Sequence, residues 1–132
     1  MFERRVLTYC VTHCNVWIMV MDDAFAKLEA DLRRSVIVLS TLSQLKTAQY
    51  GYSLRQTLSE HGMEIEEGTL YPLLRRLETQ GLLTSQWRIE DGPPRRYYTL
   101  SAEGRRLYPK LVKSWRALTG VMDDLIKEGK AK

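Results

Sequence analysis

Residues 66–83 read EEGTLYPLLRRLETQGLL, and the fold turns on how this stretch is placed. At helical period, Leu70, Leu73, Leu74 and Leu77 fall on one side, and Gly68, Tyr71, Pro72, Arg75, Arg76 and Thr79 on the other. The leucine side requires a core. The opposite side carries a small residue, a phenol and two guanidinium groups, a set suited to approaching and reading a nucleic-acid groove. Pro72 cannot donate to the carbonyl four residues back, so an irregular first turn or an effective start near Thr69 is expected. Past Gly81 the period changes to that of a strand, so the helix leads directly into a hairpin.

Toward the N-terminus, Met63, Glu64 and Ile65 make a brief connection from residues 52–62, YSLRQTLSEHG, an amphipathic helix through Leu54 and Leu58 with Gly62 in a C-cap role. Residues 46–51 read as a turn. Before it, residues 35–45, SVIVLSTLSQL, are apolar on more than one face, as in a buried helix. Residues 22–34, DDAFAKLEADLRR, open on acids and close on arginines, which suits the helix dipole, and set Phe25, Leu28 and Leu32 on one side, giving a helix of about three turns that either ends before 35–45 or continues into it. This order, buried helix, turn, short helix, connection and decorated helix, is a helix-turn-helix arrangement.

Toward the C-terminus, LLTSQWRI at 82–89 sets Leu83, Ser85, Trp87 and Ile89 on one strand face. EDGPP then turns the chain, and RRYYTL at 95–100 returns as a second strand with Tyr98 and Leu100 on one side. The two prolines call for a longer tip than a two-residue turn. Ser101 is the expected N-cap of a last helix in which Leu107, Leu111, Trp115, Leu118, Met122 and Leu125 recur at coiled-coil spacings. Such a seam needs a partner, the simplest being a second copy, with Phe25, Leu28 and Leu32 joining it. The predicted fold is mainly α with a small two-stranded β wing: a winged helix-turn-helix over 21–100 with a long C-terminal dimerisation helix over 101–128, a tail at 129–132 and an N-terminal extension at 1–20 whose order is left open.

At 132 residues with 44% hydrophobic and 27% charged residues, the chain is one domain's worth of ordinary globular composition. A net charge of +4 is too mild to identify a polyanionic partner, but residues 95–116 hold seven cations against Glu103 alone, the better sign of phosphate contacts. Residues 1–20 have a charged start and an apolar run. They lack a small-x-small cleavage site and fall short of the roughly 20 apolar residues of a membrane span, so they read as neither secretory signal nor anchor. Cys10 and Cys14 flank His13 without a fourth metal ligand and read as reduced thiols. No cofactor, no metal and no membrane are expected, and the location expected is cytoplasmic. Enzymes are the least favoured class, because no paired carboxylates, phosphate loop or nucleophile with a base stands out.

Gly51 and Tyr52, the run GTLYPLLRRLETQGLL, Trp87, GPPRRYYTL and Gly104 together resemble the PadR family of bacterial winged helix-turn-helix transcriptional regulators. The resemblance spans about residues 32–125, and the length is similar to that of the subgroup that dimerises through one C-terminal helix. It implies a homodimeric repressor on double-stranded operator DNA, released when a small aromatic or drug-like molecule, or another signal, alters the dimer. Two positions depart from the family pattern: Tyr50 stands where a His is common, and Glu67 where a Ser often precedes the glycine. Glu66 and Glu67 suit the helix dipole but oppose phosphates.

With the family motif beside the residues, Tyr71 is the first candidate for a phosphate or base edge, followed by Arg75, with Arg76 evenly balanced between DNA and solvent. Arg95 and Arg96 are expected at phosphates or the minor groove, with Thr69 and Tyr52 as weaker backbone contacts. Trp115, flanked by Leu111 and Leu118, either packs the dimer seam or, as in the subgroup's drug-sensing members, walls a pocket for a planar aromatic effector. The alternative to a sequence-specific regulator is a winged-helix protein-interaction module without specific DNA binding.

Overall fold

The computed structural model describes the backbone of residues 2–130 and the side chains of residues 20–129. The chain separates into two compact units, Met1–Ile37 and Val38–Lys132. The element order is α1 (Phe2–Gln44), β1 (Gln49–Tyr50), α2 (Gly51–Glu60), α3 (Glu67–Thr79), β2 (Leu83–Arg88), β3 (Arg95–Leu100) and α4 (Ala102–Lys130).

Residues 22–34 and all but the last residue of 35–45 run on as one helix, the continuous one of the two readings, within α1, which also takes in residues 2–20. The physical reason is plain in the composition: no glycine or proline occurs before Gly51, so nothing interrupts the hydrogen-bond ladder. On its described part up to residue 35, Val20, Met21, Phe25, Leu28 and Leu32 stand exposed. The side chains of Cys10, His13 and Cys14 lie outside the described residues. No described helix is long and apolar enough to cross a membrane.

In the second unit, the core is built mainly from leucines that each element contributes at its own period. Leu42 and Leu45 come from the end of α1 and its turn, Leu54 and Leu58 from α2, Leu70, Leu73, Leu74 and Leu77 from α3, with Leu83, Tyr98 and Leu100 from the sheet. Burying one such side chain is worth about 1.5–3 kcal/mol, so the four leucines of α3 anchor that helix from below. Helix α3 begins at Glu67, so of the two expectations, an irregular first turn or a start near Thr69, the later start does not apply, and the helix passes through Pro72. Gly68, whose carbonyl loses its donor to Pro72, is exposed, so water reaches the side of the helix where the bond is missing.

Both helices of the helix-turn-helix end on a glycine in the left-handed region, Gly62 after α2 and Gly81 after α3. In α3 the Gly81 amide donates to Glu78 O and the Leu82 amide to Leu77 O, both at 2.9 Å, the paired bonds that stop a helix and turn the chain away. Ser101 receives the chain on the other side of the hairpin. Its Oγ accepts from the Gly104 amide at 3.0 Å, capping α4, and donates to Gly81 O at 2.6 Å, while its own amide donates to Leu82 O at 3.0 Å. Gly104 fits there because a Cβ at that position would overlap the Leu82 carbonyl oxygen.

The two-stranded wing, β2 and β3, is present, and its sheet gains a third strand. Gln49 and Tyr50, read as part of a turn, pair antiparallel with Tyr98 and Tyr97, giving a three-stranded sheet in the order β1-β3-β2. A two-residue strand is too short for alternation to show. The wing face also differs toward its tip: Trp87 is 67% exposed, and Ile89, at 80%, lies beyond β2. The alternation of the strand is real, but the hairpin outruns the core that would cover those residues.

Candidate nucleic-acid interface

The glycine that opens α2 shapes the site. A Cβ on Gly51 would overlap the Tyr71 ring, so the absence of a side chain lets α3 bring Tyr71 against the start of α2. Tyr71 remains 39% exposed there. One turn further along α3, Arg75 and Arg76 are both exposed, and neither has an ion pair among the described residues. Thr69 is exposed near the helix start.

The acid that would have tied down those arginines is engaged elsewhere. Glu78 accepts from Arg96 Nη2 through both carboxylate oxygens, at 3.1 and 3.0 Å, and from Ser85 Oγ at 2.8 Å; Arg96 Nε donates to Ser85 Oγ at 2.9 Å. Arg96 therefore braces the wing against the end of α3, with Glu78 as its carboxylate partner. Burial pushes the Tyr98 phenol above its usual pKa, with Arg96 pulling the other way.

On the other sheet face, cross-strand register builds an aromatic and cationic stack. Tyr50 lies opposite Tyr97 with ring centroids 5.3 Å apart, and Tyr52 stacks beside Tyr50 at 6.4 Å with the planes 18° apart. Arg95 sits 4.5 Å from the Tyr50 ring and Arg88 4.6 Å from the Tyr97 ring. These contacts hold guanidinium groups in place while leaving their N–H edges free to donate. Tyr50 and Arg88 were not among the residues singled out from sequence; the one signal available was Tyr50 standing where the family commonly has His.

Tyr71, Arg75, Arg95, Arg96 and Trp87 meet around a cleft of about 280 Å³ between α3 and the wing, with Tyr50, Gly51 and Tyr98 completing its lining. At the other end of α3, Arg55 reaches across the helix-turn-helix, donating from Nε to Ile65 O at 3.0 Å and from Nη1 to Glu67 Oε1 at 2.8 Å. The Glu67 carboxylate thus carries its own counter-charge, which offsets its expected repulsion of phosphates. The dimerisation candidates fall on one stripe of α4: Leu107 and Leu111 are half-buried, while Trp115, Leu118, Met122 and Leu125 are exposed.

Comparison with known proteins agrees with this geometry. Residues 38–110 match the model of the "Transcriptional regulator PadR-like family". A PadR family transcriptional regulator from Eggerthella lenta is similar in structure, with a TM-score of 0.77 at 42% identity over 82% of this chain and 96% of that one. A PadR family regulator from Clostridium difficile gives a TM-score of 0.65 at 30% identity, over 69% of this chain and 98% of that one. The transcriptional regulator Rv3488 of Mycobacterium tuberculosis is 50% identical over 56 residues, 42% of this chain, and the match spans about half of that relative, 52%. A winged-helix fold with its decorated helix and wing, and a family match across both, lead to one conclusion: the chain belongs to the PadR-like family of transcriptional regulators.

Proposed function

We propose that the protein is a homodimeric repressor that binds double-stranded operator DNA with α3 in the major groove and the wing against the flanking backbone, and that acts in the cytoplasm. The observation that carries this reading is the pair of free cations on α3. Arg75 and Arg76 project beside Tyr71 with no carboxylate partner among the described residues, because Glu78 is held by Arg96. Tyr71 and Arg75 meet base edges or phosphates, Arg76, Thr69 and Tyr52 serve as outer contacts, and Arg95, steadied by Tyr50, meets the backbone of the wing-side groove. Arg96 positions the wing.

Two copies are needed for register and affinity, since a palindromic operator presents two half-sites about one helical turn apart. The exposed stripe of Trp115, Leu118, Met122 and Leu125 on α4, and that of Phe25, Leu28 and Leu32 on α1, are left for a second copy to cover. A planar aromatic effector placed against Trp115, Leu111 and Leu118 would compete with the DNA-bound spacing of the two copies, so effector and operator oppose each other reciprocally.

The test is binding to the DNA upstream of the protein's own gene across a salt series. Wild-type protein is expected to weaken steeply with salt. Tyr71→Ala and Arg75→Ala are each expected to lose about tenfold in specific affinity, on the order of 1–3 kcal/mol per lost contact. Equal binding by wild type and both variants would remove α3 as the reading element.

A further inference from the structure

Apart from Lys110 and Lys127, the cations of the described residues sort into three kinds. Lys27, Arg33, Arg34, Arg55, Arg96 and Arg106 are ion-paired. Arg75, Arg76, Arg88 and Arg95 have no carboxylate and belong to α3 and the wing. A third group, Lys46, Arg105, Lys113 and Arg116, lines a separate cleft of about 610 Å³ at the start of α4, with no carboxylate among the lining residues and no ion pair to any of the four among the described residues. The transcription-factor reading does not use this cleft.

Its construction sets the chemistry of what fits. Arg105 Nη2 donates to Lys46 O at 3.2 Å, which fixes one guanidinium at the rim with other N–H groups still free. The Lys46 ammonium stands 4.8 Å from the Tyr108 ring. Tyr108, Pro109, Val112 and Leu100 supply apolar wall between the charges. Unopposed like charges around one concavity repel one another, and a ligand with several negative charges relieves that repulsion more than a monoanion does. Arginine forks and lysine ammonium groups together match phosphate oxygens, the aromatic and aliphatic wall matches a flat ring, and the volume is within the roughly 300–1,000 Å³ usual for small-molecule sites.

We propose that this cleft binds a small phosphorylated molecule that carries a planar ring, of the nucleotide class. The site is distinct from the Trp115 stripe, and its ligand would tie the turn after α1, through Lys46, to α4.

The experiment is calorimetric titration of the full chain, without DNA and in magnesium-free buffer, with ADP, adenosine and pyrophosphate. ADP is expected to bind at least about tenfold more tightly than adenosine, through its charges, and more tightly than pyrophosphate, through its ring. The double variant K46Q/R116Q is expected to lose the preference for ADP, whereas R106Q, on the same helix but paired with Glu103, is expected to keep it. ADP binding no tighter than adenosine overturns the proposal. So does ADP binding that K46Q/R116Q leaves unchanged, which would place the nucleotide at α3 and the wing. An absence of ADP binding together with weakened duplex binding in K46Q/R116Q also overturns it, because the cleft would then be part of the DNA surface. The ADP, adenosine and pyrophosphate outcomes do not depend on the operator reading, which the Tyr71 and Arg75 variants test separately.

Discussion

Tyr71 lies where it does because position 51 has a hydrogen in place of a methyl. That makes Gly51→Ala a way to move the phenol without deleting it. The variant is expected to fold, since the group in its way is a side chain with rotamers to spare. It is expected to lose operator affinity by about as much as Tyr71→Ala, on the order of tenfold. Because both act through one ring, the double variant is expected to be no weaker than Tyr71→Ala alone, a non-additivity that titration of the same duplex measures directly. Tyr71, Arg75 and Arg76 were legible in the sequence because they share a helix face, and a helix face is a local property. The pairing of Arg96 with Glu78 was not, because it joins residues 18 apart in the chain through the wing's register. The same register places Arg95 and Arg88 over Tyr50 and Tyr97, contacts that no spacing along the chain announces.

Among the elements, α3, the hairpin and α4 form a sequence of tight joins. Ser101 was readable as an N-cap because capping needs only a short polar side chain ahead of a helix. Its second bond, to Gly81 O, was not readable, since it depends on how the hairpin returns. Gly104 shows the same division: the residue belongs to the recognised motif, but the reason for it is the Leu82 carbonyl oxygen it faces. A methyl there meets backbone, which cannot rotate away. Gly104→Ala is therefore expected to lower the unfolding free energy by about 1–3 kcal/mol, the usual range for overpacking, read as a lower urea midpoint with an unchanged slope. The helix boundaries follow the same logic. Residues 22–34 and 35–45 differ in amphipathicity, which leaves one helix or two open, but continuity depends on breakers, and the sequence has none before Gly51. The two-residue strand β1 left no periodic trace and came into view only opposite β3.

For the whole molecule, the exposed apolar stripes argue for assembly. Val121 and Ile126 extend the α4 stripe beyond the expected seam residues, at 54% and 55% exposed. Introducing charge at its centre, as in Leu118→Glu with Leu125→Glu, sets like charges against each other across any two-fold axis. Sedimentation is expected to give a species near 15.4 kDa for this variant and twice that for wild type. The isolated variant is expected to keep its helical circular dichroism and to lose specific operator binding. A variant that stays dimeric would remove α4 as the seam. The basic run at 95–116 also takes on a different meaning at this scale. What reads as one patch along the chain is divided by the fold between the wing, where Arg95 and Arg96 lie, and the α4 cleft, where Arg105, Lys113 and Arg116 lie.

The hydrogen bonds at Ser101 have a further consequence for how a signal would travel. One residue both caps α4 and closes the end of α3, and its amide holds the carbonyl of the residue that enters β2. These bonds leave no slack segment between α3 and α4. On the proposed reading, a tilt of α4 would be passed to α3 in the same step, as in a gear train without backlash.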